Sequence, residues 1–135
     1  MPPIIIISDV FLVCNEQGTS DKFYQIWLND KSNGFTLSQV GKLPSGVQAI
    51  SFADMDRDGT MDMVFATCAS VSSSTGIGAD CAINIAYNKQ LPLCASSTSS
   101  PVKNGRTVCR RPEQLCTADP DFQFDLTGGT DSYVY

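Results

Sequence analysis

At 135 residues the chain is one domain or part of one, and its 42% hydrophobic residues suffice for a packed core. Nine basic against 14 acidic residues leave a net charge of −5, which repels nucleic acid. The absence of histidine excludes Ser-His-Asp triads, Cys-His dyads and His-ligated metal sites.

Along the chain, Met1-Pro2-Pro3 and the four isoleucines Ile4 to Ile7 come first. This apolar run is far too short for a membrane span and lacks the basic region of a signal peptide. Strands are then expected over Asp9 to Cys14, Phe23 to Asn29, Phe35 to Val40, Val47 to Phe52, Met61 to Cys68 and Cys81 to Asn88. Each is rich in branched and aromatic residues and bounded by a turn cluster, the signature of an all-β fold. Phe35, Leu37 and Gln39 alternate onto one side. Both alternation sets of Met61 to Cys68 are apolar, as in strands covered on both faces.

An internal repeat runs through these strands. Val10 to Cys14 aligns with Val64 to Cys68, and Tyr24 to Asn29 with Ile83 to Asn88. The offset is 54 residues at the cysteines and 59 at the asparagines, a period that suggests propeller blades or an array. Residues 1–88 are read as blade strands and 89–135 as an irregular, Cys/Pro/Ser-rich insertion or tail. Trp27, flanked by Ile26 and Leu28, is expected in the core. Lys103, Arg106, Arg110 and Arg111 read as a solvated basic loop.

Six cysteines without a C-x-x-C pair favour disulfides in an oxidising compartment over zinc. With no export signal visible, the true N-terminus is expected to lie outside this sequence. Cys68 ends one strand and Cys81 begins the next, around the Ser/Gly-rich turn from Ser70 to Asp80. Antiparallel pairing about that turn places the two opposite each other, so a Cys68–Cys81 disulfide is expected. Closing this loop contributes roughly 3 kcal/mol in the chain-entropy model. In the insertion, Cys94–Cys116 and Cys109–Cys116 are the open alternatives, with one cysteine left for Cys14 or free.

One motif carries chemistry. Residues 54–62 fit D-x-D-x-D-G-x-x-D. Asp54, Asp56 and Asp58 alternate inward around one point, and Gly59 allows the sharp bend. The Thr60 carbonyl and Asp62 complete an oxygen cage of the kind Ca²⁺ prefers. Four carboxylates in nine residues repel one another without a cation, and Arg57 offsets only one charge. The twelfth loop position is Phe65, where an EF-hand needs Glu, and strands rather than helices flank the loop.

Phe52 to Asp62 with its flanking strands resembles the FG-GAP repeat of integrin α-chain propellers. Together with Phe23-Tyr-Gln-Ile-Trp-Leu-Asn29 and Gly34-Phe-Thr-Leu37 it is most similar to the T-cell immunomodulatory protein family. That resemblance implies a partial β-propeller of about one and a half blades: three outer strands of one, the inner part of the next, and an insertion. It also implies calcium as cofactor, an extracellular or cell-surface location, membrane-anchored relatives and a protein partner. A lectin-like propeller fragment that binds carbohydrate is the alternative. No catalysis is expected, because no nucleophile–base pair can be assembled without histidine.

Overall fold

The computed structural model describes residues 8–96 and 100–126. The isoleucine run at 4–7, part of the low-complexity run at 97–99, and the stretch 127–135 lie outside it. The described residues form eight strands: β1 (Val10–Asn15), β2 (Lys22–Asp30), β3 (Gly34–Lys42), β4 (Val47–Ala53), β5 (Asp62–Val71), β6 (Gly78–Ala86), β7 (Val102–Lys103) and β8 (Arg106–Thr107). A 3₁₀ turn covers Pro112–Cys116. Among the described residues there is no α-helix, so none is long and apolar enough to cross a membrane.

The first six strands make two antiparallel meanders, β1-β2-β3 and β4-β5-β6, each consecutive in the chain. Their registers reveal the repeat physically. In the first sheet Val10 faces Trp27, and the Asp9 carboxylate accepts the Asn29 N–H at 3.0 Å. In the second Met63 faces Ala86, and the Asp62 carboxylate accepts the Asn88 N–H at 3.0 Å. Asp9 and Asn29 are thus the counterparts of Asp62 and Asn88. The structural offset in the first strand is one residue less than the alignment at the cysteines implies. A one-residue slip changes the face of every side chain. Cys14 therefore matches Thr67 rather than Cys68, and it faces Phe23 instead of a cysteine.

The two sheets stack in one direction. Phe11, Tyr24, Ile26 and Leu28 of the first pack on Ile50, Met63, Phe65 and Ala86 of the second. Phe11 lies on the Asp9 side of its sheet, whereas Met63 lies on the side equivalent to Val10. Front of one sheet on back of the next is blade stacking; two sheets meeting through equivalent faces would instead make a two-fold sandwich. The fold is accordingly all-β, a partial propeller. The outward face of the first sheet presents Leu12, Leu37 and Val40, each more than 40% exposed, around half-buried Trp27.

Two local expectations change here. A bulge in β3 opposite Ile26/Trp27 puts Leu37 across from Trp27 but Gln39 across from Ile26. Gln39 therefore leaves the side of Phe35 and Leu37 and turns toward the core. Trp27 occupies the outward face, its indole N–H donating to Gln25 Oε1 at 3.0 Å, and it takes no part in the core cluster.

The chain beyond Lys89 is tied in at both ends. Its last described stretch returns to the blades: Asn88 bridges Phe124, and the Lys89 N–H donates to the Gln123 carbonyl at 2.8 Å. Gln39 exchanges two hydrogen bonds with the Phe124 backbone, at 2.9 and 2.8 Å. Phe124 is 1% exposed and inserts among Phe11, Phe52 and Phe122.

Cys68 stands opposite Cys81 in the β5–β6 register and is bonded to it. The insertion pairs Cys94 with Cys109, so both alternatives involving Cys116 are overturned. A parallel bridge between Leu93 and Arg110 brings these two neighbours together. Cys116 ends the exposed 3₁₀ turn and, like Cys14, is free. The basic cluster also divides. Lys103 and Arg106 face each other across the small β7–β8 hairpin. The Arg110 side chain is only 11% exposed and lies 3.9 Å from Asp119.

Candidate metal centre

The loop between β4 and β5 is built by its own side chains. Asp54 accepts the N–H groups of Asp58 and Gly59 at 3.1 and 2.8 Å, closing the loop on its first residue. Arg57 and Gly59 both adopt positive φ, +61° and +82°. At Gly59 the requirement is double, since a Cβ there would come within 2.6 Å of Leu93 Cγ and Cδ1. Asp58 Oδ1 accepts the Thr60 N–H at 2.9 Å and the Thr60 hydroxyl at 2.7 Å.

Carboxylate oxygens of Asp54, Asp56 and Asp58 converge to within 4.8 Å of one another. Thr60 and Asp62 are placed differently. Thr60 is buried and supports Asp58. Asp62 is fully buried; its oxygens accept the N–H groups of Met55 at 2.9 Å and Asn88 at 3.0 Å. Each Asp62 oxygen keeps a second lone pair.

The electrostatics record the crowding. Withdrawal from solvent pushes the Asp56 carboxyl up to about 6, aided by its hydrogen bond with Asp58 and the charges of Asp62 and Asp58. Withdrawal from solvent acts on Asp58 in the same sense, but the two hydrogen bonds from Thr60, together with those shared with Asp56 and Asp54, outweigh it and hold Asp58 below the usual carboxylate range. Among the described residues no Lys or Arg nitrogen comes within 4.0 Å of the three carboxylates. Hard anionic oxygens around one point, without a protein cation, suit a hard divalent ion such as Ca²⁺.

The loop's supports were not legible in the sequence. Leu93 donates its N–H to the Asp58 carbonyl at 2.8 Å from the insertion. Asn88 gives its side-chain N–H to the Met61 carbonyl at 3.0 Å. Only the repeat hinted at Asn88, through its match to Asn29.

This loop, set between the strands of a stacked meander, defines an FG-GAP-type repeat. A family profile described as an FG-GAP-like repeat matches residues 7–65, from before β1 into β5. The chain is 34% identical over 120 residues to a T-cell immunomodulatory protein homolog of Plasmodium yoelii yoelii, covering 85% of this chain and 16% of that protein. It is 33% identical over 109 residues to the homolog of Plasmodium falciparum (isolate 3D7), covering 76% and 15%. The chain belongs to the T-cell immunomodulatory protein family, and it spans about one sixth of the length of these relatives. No solved structure matches it.

Proposed function

We propose that this chain is a calcium-stabilised, non-enzymatic segment of an extracellular FG-GAP propeller that contributes to a protein-binding surface. The observation that carries it is the convergence of the Asp54, Asp56 and Asp58 carboxylates in a Gly-bent hairpin loop. These three would hold the ion, with the Thr60 carbonyl and the free lone pairs of Asp62 as further oxygens. The ion would neutralise the loop and lock its conformation; no step of chemistry is assigned to it. Two disulfides support an oxidising, extracellular setting. The relatives' name, T-cell immunomodulatory protein homolog, supports a role in protein recognition. Lack of histidine supports a non-enzymatic role.

Calcium is expected to raise the melting temperature relative to EDTA. At 1 mM calcium and a Kd of roughly 10⁻⁴ M, linkage gives about 1.4 kcal/mol. Asp58→Ala should abolish the calcium-dependent part. Identical melts in calcium and EDTA for both proteins would remove the calcium assignment.

Acid should weaken calcium binding. The Asp56 carboxyl is raised from 3.8 to about 6 in the ion-free fold. Through this group, ion-free stability is fully present below the unfolded value and is lost as pH rises through about 6. Calcium reverses the preference, because it needs the ionised carboxylate and must displace a proton below pH 6 or so. Affinity at pH 5 should be about tenfold lower than at pH 7. Isothermal titration in buffers of different ionisation heat counts the released proton; equal affinity at the two pH values counts against Asp56 as a ligand.

A further inference from the structure

The carboxylate loop is gripped from outside its hairpin. The Leu93 N–H donates to the Asp58 carbonyl at 2.8 Å, and the Leu93 side chain lies over Gly59. The Leu93–Arg110 bridge is closed by the Cys94 N–H on the Arg110 carbonyl at 2.9 Å and by the Arg110 N–H on the Pro92 carbonyl at 2.7 Å. Cys94 follows Leu93, Cys109 precedes Arg110, and the two are disulfide-bonded with Cα atoms 4.9 Å apart. Arg110 Nε also donates to the Leu91 carbonyl at 2.9 Å. Upstream, Gln90 links Asp119 to Asn88, each at 3.0 Å, and Asn88 holds Met61 and Asp62. Residues 88–94 thus fix the second half of the loop at Asp58–Gly59 and again at Met61–Asp62.

We propose that residues 88–94, tied to Cys109 and Arg110, form a clamp that positions the carboxylate loop, so that the Cys94–Cys109 disulfide and calcium binding at Asp54, Asp56 and Asp58 strengthen each other. This rests on the calcium reading above. The disulfide restricts the freedom of the segment carrying Leu93, so less order has to be gained when the ion binds. Linkage is reciprocal: an ion that holds the loop also holds Leu93, and with it the disulfide's surroundings. Cys109 is 8% exposed and Cys94 only partly exposed, unlike the exposed Cys81, so local opening of the clamp eases the reductant's access to this bond. Dithiothreitol then supplies two electrons and two protons, becomes its cyclic disulfide, and returns Cys94 and Cys109 as thiols.

The test is calcium titration calorimetry on the full chain, beside the paired variant Cys94→Ser/Cys109→Ser and the control Cys68→Ser/Cys81→Ser. The first should bind calcium about tenfold more weakly and the control less than about twofold. Leu93→Ala, with both disulfides intact, should lose roughly fivefold, and Leu93→Met should recover most of it. In parallel, calcium should slow dithiothreitol reduction of Cys94–Cys109 about tenfold, read by alkylation and mass spectrometry, and leave the exposed Cys81 side of Cys68–Cys81 unprotected. If the paired variant does not fold, Leu93→Ala and the reduction rates decide. Undiminished calcium affinity in Leu93→Ala with calcium-independent reduction overturns the clamp alone. Absence of calcium binding to the unmodified chain overturns both the clamp and the calcium reading.

Discussion

Phe124→Ala is expected to lower stability by about 4 kcal/mol. Phe124 is 1% exposed and contacts the rings of Phe11, Phe52 and Phe122, with centroids 5.6 to 6.2 Å apart. It sits where the two sheets meet, and Gln39 pins its backbone from the first sheet. Truncation leaves a cavity between the sheets and removes transfer energy and aromatic contacts together. Because Phe11 and Phe52 touch it from different sheets, the loss should reach inter-sheet packing as well as the tail. Chemical denaturation gives the number. Leu115→Ala, on the half-exposed 3₁₀ turn, is the control and should stay within about 0.5 kcal/mol. A Phe124→Ala loss no greater than that control would mean that the returning segment does not belong to the core.

Asp62→Asn should cost about 3 kcal/mol, and the cost should persist in EDTA. The side chain is 0% exposed, and its two oxygens accept the N–H groups of Met55 and Asn88. An amide of the same shape can offer only one oxygen. Its NH₂ then meets a backbone donor, leaving a buried N–H without an acceptor. These two bonds join the start of the loop to the end of β6, so their loss loosens the hairpin where the clamp grips it. The contrast with Asp58→Ala is diagnostic: that change also strips Thr60 of its acceptor, but its cost should grow when calcium is present, whereas the cost of Asp62→Asn is already there in EDTA. If Asp62→Asn is silent in EDTA and harmful only in calcium, Asp62 serves the ion alone and the anchoring role is wrong.

Local patterns in the sequence determined the six blade strands, the loop between β4 and β5, and the register that sets Cys68 against Cys81. Each depends on alternation, a turn cluster or a spacing within some ten to twenty residues, where chain connectivity leaves few other pairings. Tertiary structure decided the rest. The bulge in β3 turns Gln39 inward while Leu37 stays outward opposite Trp27, and one extra residue in a ladder leaves no compositional trace. The one-residue difference between the cysteine alignment and the structural repeat sends Cys14 to Phe23, a distinction of sheet face that residue similarity does not carry. Cys94 meets Cys109 because a parallel bridge aligns their neighbours, and spacing alone ranks no disulfide connectivity. Arg110 turns inward because Asp119 and the Leu91 carbonyl receive it, and Phe124 is buried because Gln39, far back in the chain, receives its backbone. These contacts join residues remote in sequence, so they form only once the two sheets are stacked and the chain has returned across them.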